Sequence, residues 1–340
     1  MPTLFDRLEG RNERIDFDCV ATRYPWLYQA DQDCIISPDS DGLLCGLFMS
    51  HYLGWRVRGF YDTKVLVYDS RVTPETCVFL DAEVCRSGVR SVGQHMLLYN
   101  RNQIPPNWGE FDDCFAVNNF RDHDGRHDFQ LKYPFGTIHL LVAALGATRA
   151  IALTESAIAP LLFTDGTYHN LFRYTENSLN WLQYLRADEQ ASPLHILFCQ
   201  TTYTIRSLMS RMNEFWRARD QISNVPGERG DRVAISPRGG ASDPENLELL
   251  DDSYRFNADA RGRAELFIHL LQECTGWQYT PEHWCWSGWT VRRFTKEDFA
   301  SSRRRLNGQT FAALMAVRPL SFAMTSGQNY EYTLETPDRL

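Results

Sequence analysis

The chain of 340 residues is 43% hydrophobic, 13% aromatic and 23% charged, a globular composition that excludes disorder over most of its length and suits one large or two ordinary domains. With 35 Lys and Arg against 43 Asp and Glu the formal net charge is −8, which excludes a basic coat for duplex nucleic acid and leaves only a local basic groove open. No apolar run reaches the roughly 18 to 20 residues of a membrane helix and the first residues are polar, so a cytoplasmic protein with no membrane contact is expected.

From Asp33 to about Ala187, short apolar runs alternate with helical patterns, the signature of βαβ units. DCIISP (33–38) reads as a buried strand and GLLCGLFMSHYLG (42–54) as a helix with Gly54 at its end. VRGFYD and KVLVYDS read as two short strands, CVFLDAEV (77–84) as an apolar run that stops at an acid, and CFAVNN (114–119) as one more strand. YPFGTIHLLVAALG (133–146) predicts a helix, SAIAPLLFTDGTYHNLF (156–172) is apolar until Thr164 and Asp165 interrupt it, and TENSLNWLQYLR predicts another helix.

Beyond Ala187 the texture changes. A helical stretch with many Arg (about 194–221) leads into a Gly-, Pro- and charge-rich loop (225–246), followed by the helix RGRAELFIHLLQECTG, a Trp cluster (Trp277, Trp284, Trp286, Trp289) and a β-rich tail from Phe311. The expected architecture is α/β: residues 1–187 carry a mainly parallel sheet flanked by helices, residues 188–340 form a smaller C-terminal α+β domain, and the site lies in the cleft between them. The nine cysteines are odd in number and form no C-x-x-C pair, which predicts reduced thiols. The spacing of Cys274, His283 and Cys285 fits no standard zinc site.

The most informative string is Ser37-Pro38-Asp39-Ser40-Asp41-Gly42, two acids one residue apart at the carboxyl end of a strand and the start of a helix. Ligand sites of open α/β sheets sit at that end, and closely spaced carboxylates are stable chiefly when a cation neutralises them. The alternative is that Asp39 or Asp41 merely caps the helix. Asp81 ends the run VFLD, His95 lies in a short Gly-containing turn, and Asp165 closes APLLFT, so four acid or imidazole positions end successive apolar runs. A second polar group, Asp122-His123-Asp124 with His127 and Asp128, reads as a solvated Gly-containing loop, the alternative being a loop that approaches the substrate or lends a metal ligand.

In their order these residues resemble the DHH phosphoesterase superfamily, whose first motif is His-x-Asp-x-Asp-Gly. Ser37 stands in the place of its His. Asp81 is similar to the second motif, Gly93-Gln94-His95 to the Asp-His-His of the third, and Thr164-Asp165-Gly166-Thr167 to the fourth, with Val117-Asn118-Asn119 and the helix 136–145 between them in the family's order. The resemblance covers about residues 30–185 and implies metal ligands Asp39, Asp41, Asp81, His95 and Asp165, with Asp41 and His95 catalytic and Mn2+ or Mg2+ as cofactor. The missing first His and the Gly-Gln in place of Asp-His remove ligands that the family uses for two manganese ions.

The resemblance therefore implies a metal-dependent phosphodiesterase or nuclease (a hydrolase) acting on single-stranded or short nucleic acid or a small nucleotide. The alternative is a catalytically degenerate, nucleotide-sensing or scaffold subunit. Arg238, Gly239 and Gly240 resemble the family's substrate-binding segment. Arg303 and Arg304, within Ser301-Ser302-Arg303-Arg304-Arg305, and the helix bearing Arg206, Arg211, Arg217 and Arg219 offer positive charge to phosphate or to a protein partner of the C-terminal half. The Trp cluster suits core packing better than base stacking.

Overall fold

In the computed structural model, which describes residues 4–200, 202–223, 230–237, 244–299 and 306–340, a mixed sheet is flanked by helices. Its strands are β1 (Asp33–Ile36), β2 (Arg56–Tyr61), β3 (Val65–Asp69), β4 (Val78–Leu80), β5 (Ser91–Gly93), β6 (Cys114–Ala116), β7 (Leu247–Leu250), β8 (Ser253–Phe256), β9 (Ser287–Asp298), β10 (Ser321–Ser326) and β11 (Asn329–Pro337). They run in the order β10-β11-β9-β3-β2-β1-β4-β5-β6, with β8 beside β9 and β7 beside β8.

Strands β2, β1, β4, β5 and β6 are mutually parallel, and every other pairing is antiparallel. The expectation of a mainly parallel sheet is corrected to a mixed one. The change of direction begins at Asp62-Thr63-Lys64, where the Asp62 carboxylate accepts from the N–H groups of Lys64 (2.9 Å) and Val65 (2.8 Å). So short a turn cannot cross over the sheet, and β3 must return antiparallel. Long β9 then pairs with β3, so strands from beyond residue 187 extend the same sheet.

The helix Ser40–Leu53 is buried along nearly its whole length and ends at Gly54, whose φ of 67° is the left-handed conformation that glycine adopts without strain. It packs against the helices Thr137–Gly146 and Ala258–Thr275. A Cβ at Gly46 would sit 3.1 Å from the Trp284 ring, one sign of how closely the Trp cluster seals this core. All four cluster tryptophans are buried, with Trp284 and Trp286 stacked at 5.8 Å.

Three elements differ from expectation. The β-rich tail begins with a helix, Gly308–Ala316, because Asn307 and Thr310 form a capping box ahead of the good helix formers Ala, Leu and Met. The strand in 114–119 stops at Ala116, and Val117–Phe120 make a helical turn. The stretch 194–221 is two helices, Pro193–Phe198 and Ile205–Ile222, the second started by the Thr204 hydroxyl, which accepts from Ser207 N. Among the described residues no helix is long and apolar enough to cross a membrane.

Candidate metal centre

Register places the site. Ile36 pairs with Leu80 and Leu80 with Val92, so the next residues, Ser37, Asp81 and Gly93, lie side by side at the carboxyl ends of β1, β4 and β5. Side chains that leave three adjacent parallel strands at this edge converge without any long reach. Asp165 arrives from the other side, at the break between the helices Ile158–Phe163 and Thr167–Arg173. Both Asp81 (φ 56°) and Asp165 (φ 48°) hold the left-handed backbone that Asp tolerates better than most residues, a cost of the kind that gathers at functional sites.

Asp81, His95 and Asp165 each present a ligand atom, and these atoms all lie within 4.8 Å of one another. Two carboxylates and an imidazole suit Mn2+, Fe2+ or Zn2+, with Mg2+ served by the carboxylates alone. His95 Nε2 is 3.9 Å from Asp81 Oδ1. The His95 loop is fixed from below, because Glu83 Oε1 accepts from the N–H groups of His95 (2.6 Å) and Met96 (2.8 Å).

Asp39 and Asp41 stand beside this group and have structural work as well. Asp39 Oδ1 accepts from the N–H groups of Asp41 and Gly42, both at 3.2 Å, and so caps the helix Ser40–Leu53. Asp41 is fully buried, and its two oxygens accept from Thr137 N (2.6 Å) and Ile138 N (3.1 Å), at the amino end of a different helix. Gly136 leaves the room for it, since a Cβ there would lie 2.9 Å from Asp41 Oδ1. The carboxylate thus rests on the positive end of a helix dipole.

Hydroxyls and an amide complete the cluster. Ser37 Oγ lies between Asp39 Oδ1 (2.8 Å) and Asp81 Oδ2 (2.6 Å), donating its one proton to one of them, and Thr137 Oγ1 donates to Asp81 Oδ1 (2.7 Å). Gln94 Nε2 donates to Asp165 Oδ2. Arg232 lies 3.9 Å from Asp39 at the rim, on a segment tied to the motif turn by Val233 N donating to Pro38 O (2.8 Å).

Four carboxylates in so small a volume cannot all stay ionised at no cost. Burial, then the charge of Asp39, pushes Asp41 up to about 6. Burial, then the charges of Asp41, Asp39 and Asp165, holds Asp81 well above the usual carboxylate range. Asp165 keeps one side open to solvent, but the protein packed around its carboxylate, then Asp41 and Asp39, raises it too. For His95, whose side chain is part-exposed, the protein packed around the ring acts in the opposite sense and lowers its pKa, which favours the neutral, ligating imidazole. Carboxyls whose protonated form is favoured by their surroundings, beside a neutral imidazole, would release protons on binding a divalent cation.

Of the five residues singled out in the sequence as metal ligands, the ligand atoms of Asp81, His95 and Asp165 converge, while Asp39 and Asp41 stand beside them, Asp39 linked to Asp81 through Ser37 and Asp41 bound to the backbone at Thr137. Arg238, Gly239, Gly240, Arg303 and Arg304 lie outside the described residues. On the helix Ile205–Ile222, Arg211 pairs with Glu214 (3.1 Å) and Arg219 with Asp220 (2.6 Å). The loop expected to be solvated is so only in part, for Asp122 and His127 are exposed while His123, Asp124 and Asp128 are each at most 2% exposed. Arg101 Nη1 donates to Asp128 (3.1 Å) while Asp124 accepts from His127 Nδ1 (2.8 Å), so these groups hold one another. Cys285 Sγ donates to Ser287 O (3.1 Å) and His283 Nδ1 meets Ser50, and among the described residues Cys274, His283 and Cys285 do not gather as a metal-ligand group.

Sequence reading missed Glu83 and Thr137. Glu83 lies in the segment just after β4, two residues beyond Asp81, where an acid so close to a candidate ligand was the available signal. Thr137 follows Gly136 at a helix start, a usual place for a hydroxyl. No family model matches the chain, and neither the curated proteins nor the solved structures compared with it yield a match.

Proposed function

We propose that the protein is a DHH-like, metal-dependent phosphodiesterase acting on single-stranded or short nucleic acid or on a small nucleotide. The observation that carries this reading is the convergence of Asp81, His95 and Asp165 within 4.8 Å at the carboxyl ends of parallel strands, with Asp41 buried beside them. A bound Mn2+ or Mg2+ would neutralise the charge of a diester and acidify water near neutral pH, the two things its hydrolysis lacks. Asp81, His95 and Asp165 are the ligands in this reading, Asp41 adds negative charge and holds the helix that carries Thr137, and Asp39 faces the solvent side where substrate enters. The net charge of −8 favours a small or short substrate over unaided binding of long DNA. Free cysteines throughout suit the reducing cytoplasm as its compartment.

The test is a Mn2+-dependent screen over labelled single strands, dinucleotides and cyclic dinucleotides, with Asp81→Asn as control. Hydrolysis lost in the variant supports the reading; no hydrolysis by the unaltered protein at any metal concentration rejects it. One observation favours a second reading, a nucleotide-sensing or scaffold subunit: Gln94 occupies an oxygen of Asp165, and Ser37 bridges Asp39 and Asp81, where the family resemblance would put imidazoles. Nucleotide binding without turnover in the same screen would select it.

A further inference from the structure

A second hollow is lined by none of the residues of the metal group. Between the end of the helix Phe17–Arg23, the strand β6 and the loop that runs on from His95 to Phe111, the fold leaves a cavity of about 230 Å3. Its apolar walls come from Tyr24, Met96, Leu98, Trp108 and Phe111. Two of the rings are held in place. Tyr24 stacks on Phe115 of β6 at 4.8 Å and turns its hydroxyl toward Cys114 O (3.4 Å). Trp108 stands edge-on to Phe111 at 5.0 Å, and the preceding residue anchors the turn, Asn107 Nδ2 donating to Met315 O (2.8 Å).

The polar residues of the wall divide into two kinds. The charged ones are matched with neighbours: Arg23 faces Asp112 at 3.7 Å, and Arg101 Nη1 donates to Asp122 O (2.7 Å) and to Asp128 (3.1 Å). Asn119 is different. Its Oδ1 accepts from Leu98 N (2.9 Å), which fixes the orientation of the amide, and its Nδ2 is buried with no hydrogen-bond partner among the described residues. Buried amide nitrogens are nearly always paired, so an orphan on a residue that lines a cavity calls for an acceptor held there. One water could satisfy that amide and would leave most of the space unfilled, whereas a cavity of about 150 Å3 already holds benzene.

We infer that this cavity is a binding site for a neutral, planar heteroaromatic ring the size of a nucleobase, in contact with the Tyr24 and Trp108 rings and with a carbonyl oxygen or ring nitrogen accepting from Asn119 Nδ2. Each part of that description has its own cause. Matched charges at the rim leave no free ion to pair with a charged ligand, aromatic walls favour a flat ring, and one unpaired donor selects an acceptor. The site uses neither the metal nor the phosphodiesterase reading.

The experiment is saturation-transfer NMR and calorimetry on the full, metal-free chain, with adenine, uracil and nicotinamide as probes. Benzoate and cyclohexanecarboxamide serve as controls for charge and for planarity. At least one of the three rings should bind with a millimolar or tighter dissociation constant, and both controls should bind more weakly. Asn119→Asp keeps the acceptor for Leu98 N but exchanges the donor for a second acceptor, and should lower ring affinity about tenfold or more, the scale of a buried hydrogen bond left unmade. Trp108→Leu removes one wall ring at a part-exposed position and should weaken binding by up to about tenfold without touching the amide. Failure of all three rings to bind at millimolar concentration overturns the inference. So does ring binding that is unchanged in both variants, which would place the rings elsewhere, and so do controls that bind as tightly as the rings.

Discussion

A Cβ at position 93 would fall 2.4 Å from Cδ of Glu83, so the space beside Gly93 is filled by the Glu83 carboxylate. That carboxylate receives the N–H groups of His95 and Met96, and it reaches them only because residue 93 has no side chain. A carboxylate thus lies under the His95 loop, supplied from the segment that follows β4.

Gly93→Ala follows directly as a test. The added methyl must displace Glu83, releasing two backbone N–H groups in a buried loop, and overpacking of this kind costs about 1–3 kcal/mol. The urea midpoint should fall accordingly and Mn2+ affinity should drop with it, because His95 is no longer held. A midpoint unchanged within experimental error would mean that Glu83 is free to swing aside and does not fix the loop.

Metal binding should raise thermal stability. A ligand present at a hundredfold excess over its dissociation constant adds about 2.7 kcal/mol, so Mn2+ titrated into the metal-free protein should raise the melting temperature by several degrees. Asp81→Asn should abolish most of that gain. Asp41→Asn should reduce it less, since Asp41 lies beside the tightest ligand group and its oxygens are engaged by Thr137 and Ile138. Equal gains in the unaltered protein and Asp81→Asn would remove the site from consideration as a metal centre.

The acids also predict how the metal-free protein responds to pH. Asp41 has its ordinary value of 3.8 raised to about 6, so its ionised form is disfavoured by folding. A raised pKa contributes stability that is fully present below the unfolded value and lost as pH rises through the folded one, here between about 4 and about 6. Relative to Asp41→Asn, which does not titrate, the unaltered protein should therefore lose on the order of 2 to 3 kcal/mol between pH 4 and pH 7. Saturating Mn2+ should cancel that difference by stabilising the ionised carboxylates. Parallel pH profiles for the two proteins would show that Asp41 titrates normally.

How much of this was legible in the sequence depended on distance along the chain. Asp39, Asp41 and Asp81 could be located because each sits at the end of an apolar run, and the end of a buried strand is a place that local pattern defines. The mixed character of the sheet was not legible, since the pairing of β3 with β9 joins Val65 to Arg293 across more than two hundred residues and no local period encodes it. The polar loop at residues 122–128 misled in part for the same reason: its composition is that of a surface loop, and Arg101 and Arg11, brought from elsewhere, make the burial of Asp128 within it tolerable.

The last prediction concerns the residue beside His95. Gln94 is buried and gives one N–H to Asp165, so an imidazole of similar reach at this position would meet the same carboxylate with a ligating nitrogen. In Gln94→His the amide bond that occupies an Asp165 oxygen is gone and a fourth protein ligand is added, while Ser37 still bridges Asp39 and Asp81. Calorimetry with Mn2+ should show tighter binding at the first equivalent, because a protein ligand replaces water in the coordination shell. A second equivalent should appear only when Ser37→His is added, since it frees Asp39 and Asp81 from their shared hydroxyl and brings one more imidazole to the opposite edge. Unchanged affinity and stoichiometry in the double variant would mean that the two positions do not face the cation, and would remove the structural basis for comparing this centre with a two-metal one.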